Sequence, residues 1–129
     1  MSDRTIIKTT KTIYPQIYAY TLPSIAEDKG WIKIGYTERK NVDERIREQT
    51  KTAAIDLEYA KLWTEPAKFS HSENWFKDKE LHRYLRKYKH VKQRPRSEWF
   101  FYNGHPEKSH TDFNDFRNFK RDQSKEGVS

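Results

Sequence analysis

The chain has 129 residues with 33% hydrophobic and 15% aromatic content, no cysteine and a formal net charge of +7. That length holds one domain with a modest core; the aromatic content excludes a wholly disordered chain, and the lack of cysteine excludes disulfide frameworks and thiolate metal sites. With no apolar run near the roughly 18 residues of a membrane span and no secretory leader, a soluble cytoplasmic protein is the expectation.

Residues 1–13 read as a polar lead-in. Tyr and Ile over 17–22, introduced by Pro15, predict a first strand. The loop 23–30 turns at Glu27-Asp28-Lys29-Gly30, and 31–36 is a second strand forming an antiparallel hairpin with the first. Asn41, with Glu44 three residues on, predicts a capped helix to about residue 50. A third strand is expected over 57–63, ended by Pro66. Residues 74–88 give the strongest helical pattern, 89–96 a basic loop broken by Pro95, and 98–102 a short aromatic strand stopped at Asn103-Gly104. Phe113, Phe116 and Phe119, spaced by three, mark a final helix. The tail 121–129 is polar and nothing closes the chain after it, as in a piece of a longer protein; the domain is expected to span 14–120.

The net charge is concentrated. Between Lys77 and Arg96 nine Lys/Arg stand against two Asp/Glu, which gives +7, and the remaining 17 cations and 17 anions cancel. Lys77, Arg83, Arg86, Lys87, Lys89, Lys92, Arg94 and Arg96 are therefore candidates for contact with a nucleic acid. The same segment also reads as a solvated helix face followed by a basic loop.

Strand parity puts Tyr18 with Tyr20, and Lys33 opposite in sense to Ile32, Ile34 and Tyr36. If Lys33 shares the Tyr18 face, its ammonium favours the phenolate and assists proton transfer; otherwise Tyr18 packs and Lys33 reaches for water. In the first helix Val42, Arg45, Ile46 and Gln49 share one side, which places Arg45 at the core's edge. A phosphate suits a guanidinium there, as does an acidic residue of the sheet. In the second helix Trp75, Leu81, Leu85 and Tyr88 define an apolar face that also takes Asp78, one turn before His82. A carboxylate on a packing side needs a partner or a cation, so Asp78 is the first metal-ligand candidate and Glu80 the second. His82 orients water, donates to phosphate, or packs.

These residues together resemble the GIY-YIG nuclease superfamily. Gln16-Ile17-Tyr18 stands for the first motif and Lys33-Ile34-Gly35, followed by Tyr36-Thr37, for the second. Arg45 falls on the helix arginine, and Asp78-Lys79-Glu80-Leu81-His82 and Glu98-Trp99-Phe100 fit the branch with a Lys-Ile-Gly-Tyr-Thr second motif. Gln16 replaces the first motif's glycine, Lys33 the second motif's tyrosine, and Gln49 stands where some members carry His or Tyr. The resemblance implies a mixed α+β domain with a central three-stranded antiparallel sheet flanked by helices. It also implies hydrolysis of DNA phosphodiesters with one Mg²⁺ or Mn²⁺. On that pattern Tyr18 takes the proton of the attacking water and Arg45 stabilises the phosphate. Lys33 supports either, Tyr36 takes part of the missing tyrosine's role, and Asp78 or Glu80 holds the metal. A larger restriction or helicase-linked protein is the implied setting. The alternatives are a nucleic-acid-binding module without hydrolysis, acting through 77–96, and a protein-interaction domain presenting Trp63, Trp75 or Phe76.

Overall fold

The structure, a computed structural model, describes residues 12–51 and 56–119. Most of the predicted lead-in and the whole tail 121–129 lie outside the described residues. The elements run β1 (Gln16–Thr21), β2 (Trp31–Thr37), α1 (Val42–Thr50), β3 (Ala60–Pro66), α2 (Asp78–Tyr88), β4 (Trp99–Phe101) and α3 (Pro106–Asn118), with a 3-10 turn at Ala26–Asp28. No helix among the described residues is long and apolar enough to cross a membrane.

The sheet has four strands in the order β3-β1-β2-β4, each neighbouring pair antiparallel. This corrects the expected three. The aromatic segment after Glu98 pairs with β2, Trp31 opposite Phe101 and Ile32 opposite Phe100. Phe100 is wholly buried, and a buried backbone must find partners, which a ladder supplies. The third strand is shifted towards the C-terminus relative to its expectation and ends on Pro66. It is an outer strand, where a missing N–H is tolerated.

Alternation along the strands divides the core in two. Ile17, Ala19, Ile32, Ile34 and Phe100 face Leu81, Leu85, Phe113 and Phe116 of α2 and α3. Tyr18, Tyr20 and Trp99 face Val42 and Ile46 of α1. β1 is thus covered on both sides, with Tyr18 fully buried. Each such aromatic or aliphatic side chain contributes roughly 1.5–3 kcal/mol. The second helix is shorter than expected: it starts at Asp78, and Trp75 lies before it, 51% exposed. Tyr88 is also mainly exposed, so the packing side is Leu81, His82, Tyr84 and Leu85, not one bounded by Trp75 and Tyr88. α3 begins with Pro106, whose fixed φ suits a first helical turn.

Candidate active site

The site forms where the sheet's edge is cut short. β4 pairs with β2 only at Trp31–Lys33, and Glu98 ends that pairing by accepting the Ile34 N–H at 3.0 Å. Tyr18 lies opposite Gly35, and Tyr20 opposite Lys33, which in turn lies opposite Trp99. Cross-strand partners share a face, so Lys33 is on the Tyr18 side, the first of the two arrangements strand parity left open.

Gly35 has a specific reason to be glycine. A Cβ built there falls 2.5 Å from the Tyr18 Oη and 2.6 Å from its Cζ, so the phenol ring lies directly on the bare backbone. The Tyr18 hydroxyl donates to Gln49 Oε1 at 3.1 Å, and Tyr20 donates to the same oxygen at 3.1 Å. The two rings stack at 6.1 Å. Burial raises the Tyr18 pKa, and the Arg45 guanidinium beside the hydroxyl opposes that rise. Burial likewise raises Tyr20. Arg45 and Gln49 reach the phenol together because they lie one turn apart on α1, next to the buried Val42 and Ile46. Asn41 starts that helix, its side chain accepting the Glu44 N–H at 3.2 Å.

Sequence reasoning left Glu98 out of the site. Its Oε1 lies 3.5 Å from Lys33 Nζ, and Lys33 is only 16% exposed. Burial, with the adjoining Asp78 carboxylate, pushes Glu98 up to about 7, while Lys33 holds it down. The signal for Glu98 was its position just before the Trp99-Phe100 strand. Nothing periodic marks a residue that acts only because a strand ends there.

Asp78, His82 and Arg86 are spaced by four along α2 and line a groove of 650 Å³ with Lys79, Arg94, Arg96 and Glu98. Glu80 is exposed and does not line it. His82 is buried against Phe100, and its Nε2 is 2.8 Å from the Ile34 carbonyl oxygen. Nε2 must carry the proton there, because a carbonyl only accepts. Burial lowers the His82 pKa, so the ring is neutral and ties α2 to β2 one residue before Gly35. Tyr36 lies across the sheet from Tyr18, with Ile34, and donates to Glu38 at 2.9 Å. Burial and that carboxylate push it up to about 12.

The basic segment is divided by the fold. Lys79, Arg86, Arg94 and Arg96 line the groove; Lys77, Arg83, Lys87, Lys89 and Lys92 do not. Lys77 lies over the Tyr36 ring at 5.8 Å, and Lys89 pairs with Asp115 at 2.6 Å. Arg94 pairs with Asp28 at 3.0 Å and lies 4.6 Å from the Trp31 ring centroid. Of the aromatics read as a partner surface, Trp63 and Phe76 are core and only Trp75 is exposed.

Two crowded carboxylates, Asp78 and Glu98, one of them keeping its proton to about 7, form a pair that a divalent cation would relieve. Among the described residues no group of three or more His, Cys, Asp or Glu gathers to hold an ion. Two carboxylates are the oxygen donors that a hard cation such as Mg²⁺ or Mn²⁺ takes one or two of while keeping water.

Fold and site define a small α+β domain with a tyrosine–arginine pair and a carboxylate pair meeting at the broken edge of an antiparallel sheet. The chain belongs to the T5orf172 domain family, matched over residues 16–120, a family of nuclease-like, endonuclease-associated domains. No curated protein and no solved structure matches it.

Proposed function

We propose that the chain is a divalent-metal-dependent DNA endonuclease domain of GIY-YIG type. The observation carrying this reading is the meeting of Tyr18, Arg45 and Lys33 with Glu98 and Asp78 at one sheet edge, beside a groove lined by Arg86, Arg94 and Arg96. Tyr18 Oη directs its own proton to Gln49, and because the ring is buried the attacking water has to be delivered to it with the bound phosphate. To act as general base Tyr18 must first release its own proton to solvent, a step burial opposes and the Arg45 guanidinium favours. The phenolate then takes the attacking water's proton as the oxygen attacks phosphorus, the bridging P–O bond breaks and the leaving oxygen is protonated from solvent. Arg45 presents its guanidinium to the phosphate oxygens. Asp78 and Glu98 would hold the Mg²⁺ or Mn²⁺; Lys33 pairs with Glu98, and His82 ties α2, which carries Asp78, to β2. A divalent cation in that place supplies Lewis-acid stabilisation of phosphate charge.

A restriction or helicase-linked setting in the cytoplasm, with DNA as the partner, belongs to the same proposal. The test is nicking of supercoiled plasmid with Mg²⁺ or Mn²⁺ by wild type, Tyr18→Phe and Arg45→Ala, each checked for folding by circular dichroism. Nicking by wild type alone is expected. Salt-sensitive DNA binding with no cleavage by any form would replace this reading with a non-hydrolytic binding module.

A further inference from the structure

A second groove, of 740 Å³, adjoins the centre at Arg45 and shares no lining residue with the first. It is bounded by Tyr14, Tyr36, the turn Glu38–Asn41 and, from α1, Glu44 and Arg45. A chain cut at an internal phosphodiester continues on both sides of the cut, and this groove shares Arg45 with the Tyr18 site.

The chemistry of the two grooves differs. In the first, four cations surround the carboxylate pair. In the second, Arg39, Lys40 and Arg45 alternate with Glu38, Glu44 and the Asn41 carboxamide. Arg39 and Arg45 are already paired with Glu48. The first groove has more cations than its two carboxylates offset, whereas the second, with two of its three cations paired to Glu48, is near balance, and intermixed donors and acceptors match the edges of bases. Tyr14 adds a ring that is 42% exposed, with Lys40 Nζ 5.8 Å from its centroid. Such a ring is a stacking surface for an unpaired base. The volume falls within the range of about 300–1,000 Å³ typical of small-ligand sites.

The wall is also braced. Gln16 Nε2 donates to the Arg39 carbonyl at 2.8 Å and to the Lys40 carbonyl at 3.3 Å. The Tyr14 N–H donates to the Glu38 carbonyl at 2.9 Å, and the Arg39 N–H to Thr37 Oγ1 at 3.1 Å. These bonds hold an exposed turn in one shape, which lowers the ordering cost of binding. Gln16, standing where the first motif has glycine, supplies two of them.

We propose that this second groove is a base-recognition subsite for the nucleotide flanking the scissile phosphate, taken as an unpaired or extruded base. Gln16 acts as a positioning residue for its wall. The proposal rests on the nucleic-acid reading above and deepens it.

The test uses the full chain and fluorescent homopolymer oligonucleotides of dA, dC and dT, with binding followed by anisotropy in EDTA. Wild type is expected to prefer one base by about tenfold. Tyr14→Ala with Lys40→Ala, and separately Gln16→Gly, should bind all three alike while remaining folded by circular dichroism. Arg86→Ala with Arg96→Ala should weaken all three equally and keep the preference. Equal binding of the three by wild type, or a preference that survives in both folded second-groove variants, overturns the subsite and leaves the nuclease reading intact. Base preference without plasmid nicking overturns hydrolysis and leaves the subsite. No binding of any oligonucleotide at low salt overturns the subsite, and the nuclease reading is then decided by plasmid nicking alone.

Discussion

Tyr18 and Gly35 act as one unit. The phenol occupies the space that any side chain at position 35 would need, so Gly35→Ala should move the ring while the sheet persists. We expect about a hundredfold loss of plasmid nicking, as for displacements near 1 Å in other sites, with the circular dichroism spectrum retained. Glu98 gives a prediction about pH. Its pKa is raised from the ordinary 4.5 to about 7 in the folded protein. The folded state therefore binds the proton more tightly than the unfolded state does. The stability this group contributes is full below about pH 4.5 and is lost as pH rises through 7. Mn²⁺ should raise the Tm at pH 8 and not at pH 5, and Glu98→Gln should abolish that difference; an equal Mn²⁺ effect at both pH values would argue against the carboxylate pair as the metal site. Tyr18, Lys33 and Arg45 were legible because motif order and strand parity mark them. Glu98 was not, because its partners Asp78 and Lys33 come from different elements and meet it only after the sheet closes.

At the scale of elements, α1 carries more than its packing. Asn41 holds its first turn, and the same helix delivers Arg45 and Gln49 to the phenol. Asn41→Ala should cost about 1 kcal/mol of stability, measurable by urea unfolding. The capping pattern and helix side were readable in the sequence because both depend on residues three and four apart. The boundaries of α2 and β3 were less so. The apolar spacing runs back through Trp75, yet Trp75 pairs with Lys68 in an isolated bridge outside the helix. Periodicity records which residues fit a helix and is silent on where the backbone finds other partners. β4 shows the same limit: its aromatic run was visible, but its pairing with β2, which makes the sheet four-stranded, is a tertiary fact.

For the whole molecule, the localised charge of the sequence is divided in space. Lys89 belongs to a network on the α3 side, where Asp112, 2% exposed, also meets Lys108 at 3.1 Å and accepts from the Tyr102 hydroxyl at 2.9 Å. Lys89→Ala should leave the salt dependence of DNA binding unchanged. Arg86→Ala with Arg96→Ala should reduce its logarithmic slope by about two if both cations meet phosphate. Measuring binding across a salt series separates these outcomes. The aromatic core, rather than aliphatic bulk, holds the halves together: Phe116 is fully buried and packs edge-on against Phe76 at 4.8 Å. Phe116→Ala should cost about 3–5 kcal/mol, read from chemical unfolding, and leave a domain of this size marginal.

The broken edge of the sheet has a consequence for synthesis. Tyr18, Lys33 and Arg45 leave the ribosome first, while Asp78 and Glu98 follow much later, and Glu98 takes its place only when β4 adds to β2. A nascent or prematurely terminated chain that stops short of Glu98 carries the phenol and the early cations without the paired anions. Such a fragment has nowhere to assemble the carboxylate pair, so on the proposed reading it holds no divalent cation there and is expected not to nick DNA until translation is complete.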